Sequence, residues 1–219
     1  MDSYINTLKT DTPILSQIYF SKLTDGFMSL EVFKKSQANF YSAVYYFSRP
    51  MFLLCSRIDN YEERLIILEN IFDEHGNGKI QDSHGNTYKK YLLTLGVSEN
   101  DINKTFNHSA VSNFYSIMNK TIRNDNIETA ISMFGIMEDR YTEISATIAS
   151  ALINNKWLKE TQLDHYKTHE KLDIYHAELF YKLIRHKWAN KISQKNIIKG
   201  LNLGNKLVLE LFNNLLEVN

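Results

Sequence analysis

Residues that break helices are scarce in this chain, which has eight glycines and two prolines among 219 residues. Sheets and sandwiches need turn residues about every 8–12 positions, and the sequence does not supply them. Apolar residues recur at helical spacing almost throughout. We find neither an internal repeat nor a linker. The sequence therefore predicts an all-α fold, with one helical-bundle domain of seven to nine helices over residues 1–219.

Caps and breakers set the expected helix boundaries. Ser29 is predicted to cap a long helix, which Pro50 should kink or break because proline has no amide donor. Gly76 and Gly78 should end the helix that precedes them. A short helix should open at residue 98. The other expected helices cover about 11–24, 29–56, 60–75, 84–95, 108–123, 126–154, 159–189 and 193–217.

Charge balance and cysteine content limit the protein's class. Lysine plus arginine and aspartate plus glutamate each number 25, so bulk charge recruits neither nucleic acid nor anionic membrane. Cys55 is the one cysteine, which excludes an internal disulfide framework and fits a reducing compartment. We see neither a secretion signal nor an apolar run of about 18 residues. The expectation is a soluble, cytoplasmic protein.

The strongest functional signal lies in the predicted helix 159–189. Six residues spaced three and four apart share one face, with a His-Asp-His sequence at its centre: Tyr166, His169, Asp173, His176, Phe180 and Leu183. Burying three ionisable groups without partners is unfavourable. Metal coordination would satisfy all three together, since imidazole and carboxylate both bind first-row metals.

Carboxylates also interrupt the apolar faces of two other predicted helices. Glu138 breaks the buried stripe of helix 126–154, and Glu74 continues the apolar line at the end of helix 60–75. Taken singly, Glu138 could be a buried ion-pair partner and Glu74 a helix-end carboxylate. Together with histidines on facing helices they suit a dinuclear iron or manganese site. The predicted metal ligands are Glu74, His84, Glu138, His169, Asp173 and His176, whereas Asp73, His75 and His165 are interpreted as bystanders.

Three segments resemble a known family. The segments are DEHGNGKIQDSH (73–84), FGIMEDRYTE (134–143) and HEKLDIYH (169–176), and the last resembles a His-x-x-x-Asp-x-x-His motif. They resemble the haem-oxygenase-like diiron oxidases, relatives of the thiaminase II and pyrroloquinoline-quinone synthase C families, over about residues 12–185. The resemblance implies a haem-oxygenase-like bundle without haem. It also implies that the six ligands bind two irons, or iron with manganese, and that dioxygen is activated on a small organic substrate with an external reductant.

One branch of that family makes para-aminobenzoate, a folate-related product, by consuming one of its own tyrosines. Tyr19, Tyr45 and Tyr141 are therefore candidate catalytic residues. Phe20 aligns with the consumed position, beside Tyr19, and Ile148 aligns with a lysine of that branch. Some members add a carboxylate from the second long helix, but the corresponding NFYSAVYYFSRP (39–50) has none.

Two alternatives remain open on the same fold. A metal-independent enzyme, like the quinone-synthase or thiaminase relatives, would bind an organic molecule and move protons with histidines. The thiaminase-like version needs a pocket cysteine, for which Cys55 is the one candidate. A host-interaction protein would instead present its helices to a partner. Members of the family are often dimers, so a homodimer is also an expectation to test.

Overall fold

The computed structural model describes residues 1–106 and 108–216, apart from the side chains of residues 164 and 167–171. Within this part of the chain there are eight α-helices of ten residues or more, three shorter α-helices and no strand, which confirms the all-α prediction. The α-helices in chain order are α1 (Asp2–Asp11), α2 (Ile18–Thr24), α3 (Leu30–Tyr46), α4 (Ser48–Cys55), α5 (Tyr61–Glu74), α6 (His84–Thr94), α7 (Glu99–Lys104), α8 (Ser109–Asn124), α9 (Ile127–Asn154), α10 (Asp164–Arg185) and α11 (Lys191–Asn214).

The long helix expected over residues 29–56 is broken into α3 and α4. Ser29 caps α3 as predicted, because its side chain accepts a hydrogen bond from the Val32 amide at 3.3 Å. The break falls at Phe47, three residues before Pro50. Pro50 has no amide to donate to the Tyr46 carbonyl four residues earlier, and its ring would clash with that carbonyl. The predicted interruption is confirmed.

Two other predicted boundaries were wrong. A helix was expected over 11–24, but α1 ends at Asp11 and α2 begins at Ile18. Pro13 disfavours helical backbone at the residue before it, and Thr12 accordingly has φ −129° and ψ 63°. The helix expected over 159–189 is shorter, because a separate 3-10 turn (Glu160–Gln162) precedes α10.

Helix α9 runs through the core and packs against both α10 and α11. Glycines allow the close approach: a Cβ atom at Gly200 would clash with Ser132 and the Thr129 carbonyl, and one at Gly204 with the Met133 carbonyl. Because α9 is held on two sides, the residues at its centre, including Glu138, have fixed positions relative to α10.

Among the described helices, none has the combination of length and hydropathy needed to cross a membrane.

Candidate metal centre

Helices α9 and α10 bring three predicted ligands together. Glu138, Asp173 and His176 are buried, and each offers a ligand atom within 4.8 Å of the others. Asp173 and His176 lie three residues apart on α10, so they share one face. Two ligands of one first-row ion lie at most about 4.4 Å apart when each bond is about 2.2 Å. The observed spacing is thus within a few tenths of an ångström of a coordination site.

Glu74 and His84 form a second pair of predicted ligands. Glu74 ends α5, His84 begins α6, and His84 Nδ1 lies 2.9 Å from Glu74 Oε1. The predicted role of the intervening glycines is confirmed at Gly76, which has a φ of +66°. A Cβ atom there would lie 2.5 Å from the Ser83 backbone nitrogen, so only glycine fits this folded-back turn.

Four of these five ligands line one small cavity. Its polar wall is formed by Glu74, His84, Glu138 and Asp173, and its volume is about 60 Å³. The other walls are the Tyr141 side chain and eight apolar residues. These come from α3, the α3–α4 break, α8, α9 and α11: Phe40, Ala43, Val44, Phe47, Phe114, Met137, Val208 and Leu211. Residues 39–50, the second long helix of the sequence comparison, contribute only apolar side chains to this wall, consistent with the absence of an acid in that segment. His169 is on α10, but its side chain lies outside the described residues.

Burial and neighbouring charges shift the pKa values of this cluster. Burial, then the neighbouring carboxylates Asp173 and Glu74, raise the pKa of Glu138 well above its ordinary 4.5, against an opposing hydrogen bond from Asn70. Burial also raises the pKa of Asp173 well above 3.8, although His84 opposes this. Burial lowers the pKa of His84, but the charge of Glu74 and its hydrogen bond outweigh that effect and raise it. No lysine or arginine is among the described residues that line the cavity.

These observations test whether a metal would fit. Three buried carboxylates and two described imidazoles are hard and borderline donors of the kind that iron and manganese bind. His176 Nδ1 has no hydrogen bond within the described part of the chain, and it lies 3.8 Å from Asp173 Oδ1. A divalent cation would offset the carboxylate charge and engage this nitrogen. The residues present therefore fit a metal centre.

Two residues that support the centre were not predicted. Asp73 is not the bystander we inferred, because its Oδ2 atom lies 3.2 Å from Nε2 of His176. Asn70 is fully buried, and its Nδ2 atom donates to Glu138 Oε1 at 3.4 Å. The signal for Asn70 was present in the sequence: it lies four residues before Glu74, inside the apolar run LIILENIF.

The other two histidines interpreted as bystanders differ from each other. His75 Nδ1 is 2.7 Å from the Ile71 carbonyl of its own helix, and it does not line the cavity. His165 is at the start of α10, but it is buried and not on the surface. Its ring packs against Tyr88 and Tyr91, and its Nδ1 lies 3.2 Å from the Thr87 hydroxyl.

The three predicted catalytic tyrosines lie in different environments. Tyr141 lines the cavity. Tyr19 is buried elsewhere, with its hydroxyl 2.8 Å from Ser36 Oγ and 2.7 Å from Gln37 Nε2. Tyr45 is 51% exposed and packs against Tyr41, Tyr46 and Phe106. The fold thus places one of the three, Tyr141, at the cavity.

The sequence matches a model of a known protein family. A family model described as "Iron-containing redox enzyme" matches residues 36–207. The chain belongs to this haem-oxygenase-like family. The matched range contains every predicted metal ligand, from Glu74 to His176. A search of curated proteins found no match.

Solved structures similar to this family member show the same fold. A TenA homologue from P. horikoshii OT3 is 17% identical, with a TM-score of 0.74 and 97% of each chain covered. A domain with a heme oxygenase-like fold from Shewanella denitrificans OS217 is 12% identical, with a TM-score of 0.75, covering 98% of this chain and 88% of that one. A TenA homolog from Pseudomonas syringae pv. tomato is 14% identical, with a TM-score of 0.69 and coverages of 97% and 92%. At these identities the likeness establishes the haem-oxygenase-like fold.

Proposed function

We propose that this family member is an oxidoreductase with a dinuclear non-haem metal centre, containing two irons or iron with manganese. It would use dioxygen and an external reductant to oxidise a small organic molecule. The observation that carries the proposal is the buried cluster of Glu74, Glu138 and Asp173 with His84 and His176, in which Glu138, Asp173 and His176 offer ligand atoms within 4.8 Å of one another.

The two groups of ligands suggest how the metals would be shared. Glu138, Asp173 and His176 would hold one ion, and Glu74 and His84 would supply the other, with carboxylates available to bridge. His169 remains a predicted sixth ligand. Bound metal would supply the site for dioxygen activation, which the amino acids alone do not provide.

The remaining side chains would orient the ligands and exclude water. Asp73 holds Nε2 of His176, and Asn70 holds one oxygen of Glu138, so both ligands have fixed orientations. The apolar walls from α3 and α11 keep bulk water from the cavity. Burial raises the pKa of Tyr141 well above 10, so its hydroxyl stays protonated beside the cavity and can donate a hydrogen bond or a hydrogen atom.

Metal analysis of the full chain tests the proposal directly. Anaerobic iron(II) titration, followed by absorption and Mössbauer spectroscopy after exposure to air, should show about two irons per chain. Glu138→Gln and His176→Ala should each reduce that stoichiometry. His75→Ala is the matched control, because His75 lies next to Glu74 but bonds to its own helix backbone. Wild-type protein that binds no iron, or variants that bind as much as the control, would refute the proposal.

The Glu74–His84 pair also suits a metal-independent enzyme that moves protons, since a carboxylate can orient and polarise an imidazole. The thiaminase-like version gains no support from Cys55. Its thiol is 4.0 Å from the Arg64 carbonyl, and it is not among the described residues that line the cavity. Substrate turnover by chelator-treated protein, at the rate of the iron-loaded protein, would favour this second function.

A further inference from the structure

The inner cavity is too small for an organic substrate. Its volume is about 60 Å³, whereas a cavity that binds benzene measures about 150 Å³ and one water needs about 10–15 Å³. The cavity therefore has room for a few water molecules or for dioxygen. An organic molecule that reacts at the same centre needs an adjoining space.

A second, much larger cleft adjoins the cavity and opens to solvent. It measures about 640 Å³, within the roughly 300–1,000 Å³ range of small-molecule sites. It lies between the 76–82 turn, one face of α6 from His84 to Thr94, and the first half of α10. His84 lines both the cleft and the inner cavity, so this one side chain separates the two spaces.

Two aromatic rings, those of Tyr91 and His165, line the cleft. The rings of Tyr91 and His165 are nearly parallel, with an interplanar angle of 22° and centroids 6.3 Å apart, and both residues are buried. The Thr87 hydroxyl lies 3.1 Å from the His84 carbonyl, to which it donates. Its oxygen can then accept a hydrogen bond from Nδ1–H of His165, 3.2 Å away. Planar groups of a ligand can pack against aromatic rings.

The rim of the cleft carries two lysines that are free to bind an anion. Lys79 and Lys90 are exposed, and neither forms an ion pair with a described residue. Two acids also face the cleft. Asp73 is already engaged by His176, and Asp82 lies exposed at the opposite end of the 3-10 turn from Lys79.

We propose that this cleft binds a small organic carboxylate with a planar body, its anionic end held by Lys79 and Lys90 and its ring packed on Tyr91 and His165 next to His84. The proposal that the bound carboxylate is the substrate rests on the proposed function, since His84 is a predicted metal ligand. The proposal that the cleft binds an anion depends only on the residues that line the cleft. Dioxygen would occupy the inner cavity on the other side of His84.

Binding to the full, metal-free chain tests this without relying on activity. Phenylacetate should bind, with calorimetry giving its Kd and ¹H–¹⁵N NMR showing shifts at the Thr87 and Thr94 amides of the cleft. The neutral isostere phenylacetamide should bind more weakly. Lys90→Ala should weaken phenylacetate binding roughly threefold, and Lys79→Ala with Lys90→Ala about tenfold.

Lys89→Ala is the matched control, because Lys89 is next in sequence but pairs with Glu99 at 3.0 Å. It should leave phenylacetate affinity unchanged. The inference fails if phenylacetate does not bind, if phenylacetamide binds equally well, or if the shifts fall at Val44 and Val208 of the inner cavity. Iron titration of the same lysine variants separates the two proposals: they should load iron normally, and anion binding without iron binding would reject the metal centre alone.

Discussion

The carboxylate of Asp73 lies 3.2 Å from Nε2 of His176, and the other ring nitrogen of that histidine, Nδ1, lies 3.8 Å from Asp173. A neutral imidazole donates from one nitrogen and accepts or ligates with the other. Asp73 therefore favours a proton on Nε2 and leaves Nδ1 available on the side of the candidate ligands. The tautomer of His176 is set by a residue that would not itself touch the metal.

Asp73→Ala should accordingly weaken iron binding by about 10–100-fold while the protein stays folded, the usual cost of losing an orienting partner of a metal ligand. Equilibrium iron(II) titration measures the affinity. ¹⁵N NMR of metal-free protein should show His176 protonated on Nε2 in the wild type and a tautomer mixture in the variant. Asp82→Ala, which removes an exposed carboxylate from the same segment, is the control. An unchanged tautomer in Asp73→Ala would contradict the assigned role.

The raised pKa of Glu138 predicts that metal-free protein gains stability on mild acidification. Its pKa is raised by burial and by the carboxylates of Asp173 and Glu74. The folded state therefore binds a proton more tightly than the unfolded state does. The stability that Glu138 contributes is fully present below its unfolded-state pKa of 4.5. That contribution is lost as the pH rises through its folded-state pKa.

Other groups near Glu138 also titrate, so the comparison must be with a variant. Burial lowers the pKa of His176, which acts in the opposite direction, and the pKa of His84 is raised. Glu138→Gln replaces the ionisable carboxylate with a neutral amide. Because the ionised carboxylate is unfavourable in the folded protein, the variant should be more stable than the wild type at neutral pH. Thermal melts of both proteins without metal should show this gap narrowing as the pH falls. A gap that is constant with pH would show that Glu138 is not held above its ordinary pKa.

Gly76 should be essential for bringing Glu74 and His84 together. Gly76→Ala would force alanine to adopt a φ of +66°. It would also place a Cβ atom 2.5 Å from the Ser83 backbone nitrogen, so the 76–83 turn must open. We expect a loss of stability above the roughly 1–3 kcal/mol of backbone strain alone, and weaker iron binding. Gly26→Ala is a matched control, with a φ of +76° and no atom within 4 Å of the new Cβ. Chemical denaturation and iron titration check both effects, and equal losses in the two variants would contradict the close packing.

The sequence predicted which residues lie together where they share one helix. It was less informative about contacts that depend on chain turns or on packing between helices. Asp173 and His176 share a face because they lie on one helix, and any α10 with these residues brings them together. Asp73 was misinterpreted because its partner is 103 residues away, a distance in sequence that no local pattern spans. The burial of His165 was not predicted because it depends on Tyr88 and Tyr91 of α6. The boundary at Asp11 was missed although Pro13 supplied a local signal for it.

Tyr141 is the predicted tyrosine that lines the cavity, so it should be the one that is oxidised if the protein consumes its own side chain. Iron-loaded, reduced protein exposed to dioxygen should show modification at Tyr141 by peptide mass spectrometry. Tyr141→Phe should load iron normally, because its hydroxyl is not a predicted ligand, but it should lack the modification. Tyr45→Phe is the control, since Tyr45 is 51% exposed and lies outside the cavity wall. Modification at Tyr19 or Tyr45 instead of Tyr141 would show that oxidation does not follow proximity to the cavity.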